Sequence, residues 1–121
     1  MFRLQLTFPK ATVRGYTLKN GDILFIGRNP ERHIVTDDPQ VSRRHACIGQ
    51  LGDKLFVWDE ASKHGTSVNG IPVICGRLSQ GDVVSIGANH NLKASITIRV
   101  KQHEDTVAAI INSKQKLSET I

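Results

Sequence analysis

A chain of 121 residues has room for one domain that buries a core without disulfide or metal staples, plus a short tail. Sixteen Lys and Arg against eleven Asp and Glu give a net charge of +5, which suits an anionic ligand. The four Phe, one Tyr and one Trp fall mostly inside apolar runs rather than between basic residues, so nucleic acid is not the expected anion. No basic-then-apolar leader opens the chain and no apolar stretch approaches the roughly 18–20 residues that span a bilayer, so a soluble, cytoplasmic protein with no membrane partner is expected.

Residues 2–8 alternate apolar and polar at every step, the period-two pattern of a half-buried strand, and Pro9 ends the run. Residues 13–18 form a weaker run. Asn20-Gly21 then makes a turn before Ile23-Leu24-Phe25-Ile26, and a hairpin pairing the two runs is expected. Gly27-Arg28-Asn29-Pro30 breaks the apolar run, and Ile34-Val35 reads as a short strand.

Asp37-Asp38-Pro39-Gln40 turns the chain into Val41-Ser42-Arg43-Arg44-His45-Ala46, where a loop becomes a strand. Two adjacent guanidinium groups beside a small hydroxyl make this rim an anion-binding candidate, because Arg offers a planar fork of donors and a hydroxyl adds a short bond to the same anion. Residues 46–51 and 55–59 then read as a hairpin joined through Gly52-Asp53-Lys54, with Trp58 as a core anchor. A second polar loop, residues 60–66, leads to Val68-Asn69-Gly70 and to the run 71–74. Gly81-Asp82 turns into residues 83–87, and residues 92–101 alternate again through Ile96, Ile98 and Val100.

About ten short strands separated by turns argue for an all-β antiparallel sandwich over residues 1–101. From His103 the pattern changes. Glu104-Asp105-Thr106 suits a helix N-terminus, and Val107, Ile110, Ile111, Leu117 and Ile121 recur at roughly helical spacing, so residues 102–121 are read as a helical tail, surface-packed or helix-pairing. Cys47 and Cys75 lie in strand-like runs and are read as reduced, structural fillers. His33, His45, His64, His90 and His103 show no short-spaced ligand pair, so neither metal nor cofactor is expected.

Four polar signals now stand in a recognisable order: Ile26-Gly27-Arg28; Val41-Ser42-Arg43-Arg44-His45-Ala46; His64-Gly65-Thr66-Ser67-Val68-Asn69-Gly70; and the run 78–87 through Gly81-Asp82. In this order they resemble a forkhead-associated (FHA) domain over roughly residues 2–101. The resemblance implies a twisted sandwich of about eleven strands, with loops at one end forming a pocket for phosphothreonine in a partner protein. It implies a non-catalytic recruiting module for signalling or assembly.

Carried over position by position, the resemblance makes Arg28 a phosphate-binding guanidinium and Gly27 the residue that lets the backbone approach closely. Ser42 and Arg43 match the residues that contact the same phosphate. His45 is architectural in the family, its ring tying loops together, and Asn69 matches a structural asparagine, with Gly65, Thr66 and Gly70 shaping the loops. Arg44 is expected on the other side of the emerging strand, as a solvated charge or one that supports the phosphate-contacting residues from behind. Selectivity for Thr over Ser would rest on an apolar niche for one methyl, about 1 kcal/mol by transfer energetics.

A catalytic reading of Ser42 and His45 fails for want of an orienting acid and an oxyanion site. One position departs from the family pattern: His64 in Ser62-Lys63-His64-Gly65-Thr66 stands where asparagine usually grips the peptide backbone. Imidazole lacks the amide's paired donor and acceptor on one planar end, so peptide-backbone contact at His64 is the weaker expectation, while Lys63 is read as a flanking charge that steers acidic peptides to the loop. This departure motivates the alternative of a phospho-independent interaction or oligomerisation domain. Self-association through the tail, with Thr106 as a site whose phosphorylated form docks into a pocket, is a further expectation.

Overall fold

The computed structural model describes residues 1–8, 13–87 and 96–103. Eleven strands follow one another: β1 (Phe2–Thr7), β2 (Val13–Leu18), β3 (Ile23–Gly27), β4 (Ile34–Val35), β5 (Ala46–Leu51), β6 (Lys54–Asp59), β7 (Thr66–Val68), β8 (Ile71–Pro72), β9 (Cys75–Leu78), β10 (Val83–Ile86) and β11 (Ile96–His103). They form two sheets, one ordered β2-β1-β11-β10-β7-β8 and the other β4-β3-β5-β6-β9.

Period-two patterning decides what lies between the sheets. Phe2, Leu4 and Leu6 of β1, Val84 and Ile86 of β10, and Ile96, Ile98 and Val100 of β11 face inward from the first sheet. Leu24 and Ile26 of β3, Ile48 of β5, and Leu55 and Val57 of β6 meet them from the second. Each such side chain, fully buried, contributes roughly 1.5–3 kcal/mol of transfer free energy. Val41, in the loop before β5, is also fully buried. It pins the arginine-bearing loop to the end of the sandwich.

Several expectations need correcting. The runs 13–18 and 23–26 do not form a hairpin: β2 pairs with β1, whereas β3 pairs with β5 and β4, so the Asn20-Gly21 turn carries the chain from one sheet to the other. The turn itself is present, with Asp22 N–H donating to Lys19 O at 3.0 Å and Gly21 at φ 89°. The sandwich is not purely antiparallel, because β3 and β4 run parallel. Residues 75–78 form a strand of their own, β9, beside β6.

Trp58 is not a core anchor. Leu55 and Val57 take the inner face of β6, which leaves Phe56 and Trp58 half-buried on the outer one, their rings 5.8 Å apart. There Trp58 is flanked by Cys47 of β5 and Cys75 of β9 in one cross-strand row. Both thiols are free and Cys75 is exposed, so it fills no core space. Burial, followed by the nearby Glu60, pushes the Cys47 thiol up and keeps it protonated.

β11 continues through His103, whose backbone pairs with Phe2, past the boundary read at residue 101. The helical tail from residue 104 on, Thr106, the self-association expected through it, and His90 lie outside the described residues. No helix among the described residues is long and apolar enough to cross a membrane.

Candidate functional site

Three connections meet at one end of the sandwich: the segment after β3, the loop between β4 and β5, and the loop between β6 and β7. Main-chain bonds bring the first two together. Arg28 N–H donates to Ser42 O at 3.0 Å and Asn29 N–H to Arg43 O at 3.1 Å. This approach leaves no room for a side chain at residue 27, since a Cβ there would lie 2.1 Å from Arg43 O. The Arg28 side chain folds over the same loop, its Nε donating to Val41 O at 2.5 Å. Arg28 is otherwise exposed, and its four terminal N–H donors are left for a ligand.

Ser42 joins the second loop to the third. Its Oγ accepts the Lys63 N–H at 2.9 Å, which fixes the oxygen and leaves the hydroxyl proton to donate outward. Its own N–H donates to His45 Nδ1 at 3.0 Å, so that nitrogen carries no proton, and His45 Nε2–H donates to Gly65 O at 2.8 Å. His45 is fully buried and spans the two loops as a neutral ring. Burial, the largest influence, lowers its pKa against the raising effects of the Gly65 carbonyl and Asp59. Ser42 Oγ is not bonded to His45, so the pair forms no nucleophile and base.

The neutral ring has a consequence for pH. The unfolded chain takes up a proton near the ordinary value of 6.5, whereas the folded ring resists it, because a second N–H at Nδ1 would face the Ser42 N–H. This contribution to stability is complete above pH 6.5 and is lost as pH falls below it, by at most about 1.4 kcal/mol per unit. Denaturant titrations between pH 7.5 and 5 should therefore reveal a falling stability in the wild type that is shallower in His45→Gln.

The third loop is organised by Asp59, which sequence reasoning missed. Its carboxylate accepts from Ser62 N at 3.0 Å, Ser62 Oγ at 2.5 Å and Thr66 Oγ1 at 2.8 Å. Ser62 Oγ in turn accepts the Gly65 N–H at 3.0 Å, and Gly65 takes φ 82° to close the turn. The available signal was an acid at a strand end followed by hydroxyl residues three and seven positions on. Thr66 is buried on this carboxylate, Lys63 is exposed, and the half-buried His64 has no side-chain hydrogen bond among the described residues.

Arg28, Ser42, Lys63 and the backbone of Arg43 are thus brought together from three segments, and Arg43 is exposed. Asn69 stands apart from them. Its Nδ2 donates to Asp82 Oδ1 at 3.0 Å and its Oδ1 accepts the Val83 N–H at 2.9 Å, so it braces the turn before β10. Asn69 and Gly70, at φ 50° and 82°, make the tight turn between β7 and β8. Chemically, the rim offers fixed donors and positive charge to an anion. Among the described residues no group of three or more His, Cys, Asp or Glu is placed to hold a metal ion.

Comparison with known proteins finds relatives of this chain. An oxoglutarate dehydrogenase inhibitor of Corynebacterium jeikeium is 46% identical over 61 residues, covering 50% of this chain and 42% of that protein. The glycogen accumulation regulator GarA of Mycolicibacterium smegmatis is 46% identical over 61 residues, covering 50% of this chain and 39% of that protein. The matched segment therefore spans well under half the length of these relatives. The crystal structure of the FhaA FHA domain complexed with the intracellular domain of Rv3910 superposes with a TM-score of 0.67 at 33% identity, covering 84% of this chain and 100% of that one. A structure from a study of phosphothreonine-dependent FHA domain interactions superposes with a TM-score of 0.68 at 31% identity, covering 85% of this chain and 99% of that one. The family model described as FHA domain matches residues 24–87, more than half of the chain, and the protein belongs to the FHA domain family.

Proposed function

We propose that this protein is a non-catalytic module that binds phosphothreonine in a partner protein and recruits it. The observation that carries this reading is the oriented donor set at the rim. Val41 O occupies Arg28 Nε and the Lys63 N–H occupies one acceptor position of Ser42 Oγ, so both side chains turn their remaining donors outward. A phosphate group carries between one and two negative charges near neutral pH and three acceptor oxygens, which this set matches. Arg28 and Ser42 hold the phosphate, and Arg43 adds charge and donors from the same loop. Gly27, His45, Gly65, Thr66 and Asn69 keep the loops in shape. Relatives described as an inhibitor and as a regulator are consistent with a domain that acts by engaging another protein.

Calorimetry with phosphothreonine peptides and their unphosphorylated and phosphoserine counterparts tests the reading. Binding should require the phosphate and favour threonine. Equal binding of a partner with and without phosphate would support the phospho-independent scaffold instead, the alternative that His64 motivates.

His64 also makes a separate prediction. It is half-buried and has no side-chain hydrogen bond among the described residues, so replacing it breaks no hydrogen bond of the domain. An amide there would supply a donor and an acceptor to a peptide backbone. His64→Asn should tighten phosphopeptide binding by about 1 kcal/mol, or roughly fivefold, with unchanged stability.

A further inference from the structure

Beside the phosphate rim, a cavity of about 370 Å³ opens on the outer face of β3, and the reading above makes no use of it. Phe25 lines it together with Asn29, His33 and Arg44. Arg32 and Glu60 are also in the lining, but they are joined to each other at 2.6 Å and the Arg32 side chain is largely buried over the Phe25 ring.

Internal hydrogen bonds fix the polarity of the groups that remain. Phe25 N–H donates to His33 Nδ1 at 2.9 Å, so the neutral ring carries its proton on Nε2, which is a donor. Glu31 N–H donates to Asn29 Oδ1 at 3.0 Å, so the free end of that amide is Nδ2, also a donor. Arg44 is exposed, has no side-chain hydrogen bond or ion pair among the described residues, and can only donate. Phe25 and His33 stack at 5.6 Å between centroids, which holds the imidazole in place. With Arg32 matched by Glu60, the uncommitted charges of the lining are Arg44 and the exposed acid Glu31.

We infer that this cavity receives an Asp or Glu side chain of the same partner that the phosphate rim holds, and so selects for acidic sequence near the phosphothreonine. The inference rests on the phosphothreonine reading. Asn29 follows Arg28 and Arg44 follows Arg43, so cavity and rim are built on the same two backbone segments. An extended peptide advances about 3.3 Å per residue, so a carboxylate a few residues from the phosphothreonine falls on the neighbouring part of these segments. Arg44 is thus a specificity residue, where the sequence suggested a solvated or supporting charge.

The test is calorimetry with an otherwise neutral phosphothreonine peptide carrying a single Glu, or Gln as control, at each position from two to five on either side. At one narrow window of positions Glu should bind five- to tenfold tighter than Gln. Arg44→Ala should abolish that difference, whereas Arg99→Ala, which removes an exposed charge from the other sheet, should preserve it. Glu31→Gln should enlarge it two- to threefold. No position preferring Glu, or a preference that survives Arg44→Ala, overturns the inference while leaving the phosphothreonine reading intact. Failure of the neutral phosphopeptide to bind at all removes both.

Discussion

Gly27→Ala should lower stability by about 3 kcal/mol or more, although it adds one methyl group. The added Cβ would sit 2.1 Å from Arg43 O, 2.9 Å from Arg43 C and 3.1 Å from Ser42 O, so backbone rather than a flexible side chain must move. Moving it breaks the Arg28 N–H to Ser42 O and Asn29 N–H to Arg43 O bonds that hold the segment after β3 against the second loop. Overpacking costs roughly 1–3 kcal/mol, and loss of the two hydrogen bonds adds about 1 kcal/mol each. For a domain near 100 residues, a loss of 3 kcal/mol corresponds to a fall in Tm of roughly 12–24 °C.

Gly52→Ala is the matched control. Gly52 has φ 65° but nothing within 4 Å of its Cβ position, so only backbone strain opposes the substitution, about 1 kcal/mol. Thermal unfolding of the two variants side by side separates close approach from conformational strain. If Gly27→Ala melts no lower than Gly52→Ala, the close approach is not what shapes the rim.

Arg28→Ala should have the opposite profile, with folding nearly intact and phosphopeptide affinity lost. The side chain is exposed and makes one hydrogen bond to the protein, at Val41 O, so stability should change by no more than about 1 kcal/mol. Binding loses a charged donor fork, worth about 3 kcal/mol, or more than a hundredfold in Kd. Arg28→Lys should recover only part of this, because an ammonium cannot hold Val41 O and present a planar pair of donors to phosphate at once. Calorimetry with one phosphopeptide, checked against denaturant titration of each variant, gives both numbers. A large loss of stability in Arg28→Ala would assign the residue to the architecture instead.

The contrast between these neighbours bears on what a single sequence discloses. Strands whose inward residues alternate without interruption, such as β1 with Leu4 and Leu6 or β11 with Ile96 and Ile98, are legible because burial imposes the period directly. Pairing is less legible. Asn20-Gly21 encodes a turn, but nothing local says whether the next strand pairs across that turn or leaves for the other sheet. Leu24 and Ile26 are satisfied by the second sheet, through partners on β5 at Ile48 and Ala46. The Trp58 error had a local remedy: Leu55 and Val57 fix the inner face of β6, and the next residue must face outward.

At the site, Arg28, Ser42 and Gly27 stood out as candidates because the motif order is distinctive. The structure adds how they are joined, by a hydroxyl taking the Lys63 N–H and a backbone approach too close for a side chain. Asp59 was invisible because a lone acid at a strand end resembles any solvated carboxylate until Ser62 and Thr66 fold onto it. The donors facing the cavity beside the rim were equally hidden. The polarity of His33 and Asn29 is set by the backbone N–H groups of Phe25 and Glu31, one of them eight residues away.

The most direct test of the phosphate rim is an NMR titration of the labelled domain with a phosphothreonine peptide and with the same peptide unphosphorylated. The phosphopeptide should shift the amides of Arg28, Ser42, Arg43, Lys63, His64 and Gly65 together with the Arg28 Nε–H signal, and the unphosphorylated peptide should shift none of them. Phosphate-independent shifts, or shifts confined to the turn at Asn69 and the outer face around Trp58, would contradict it.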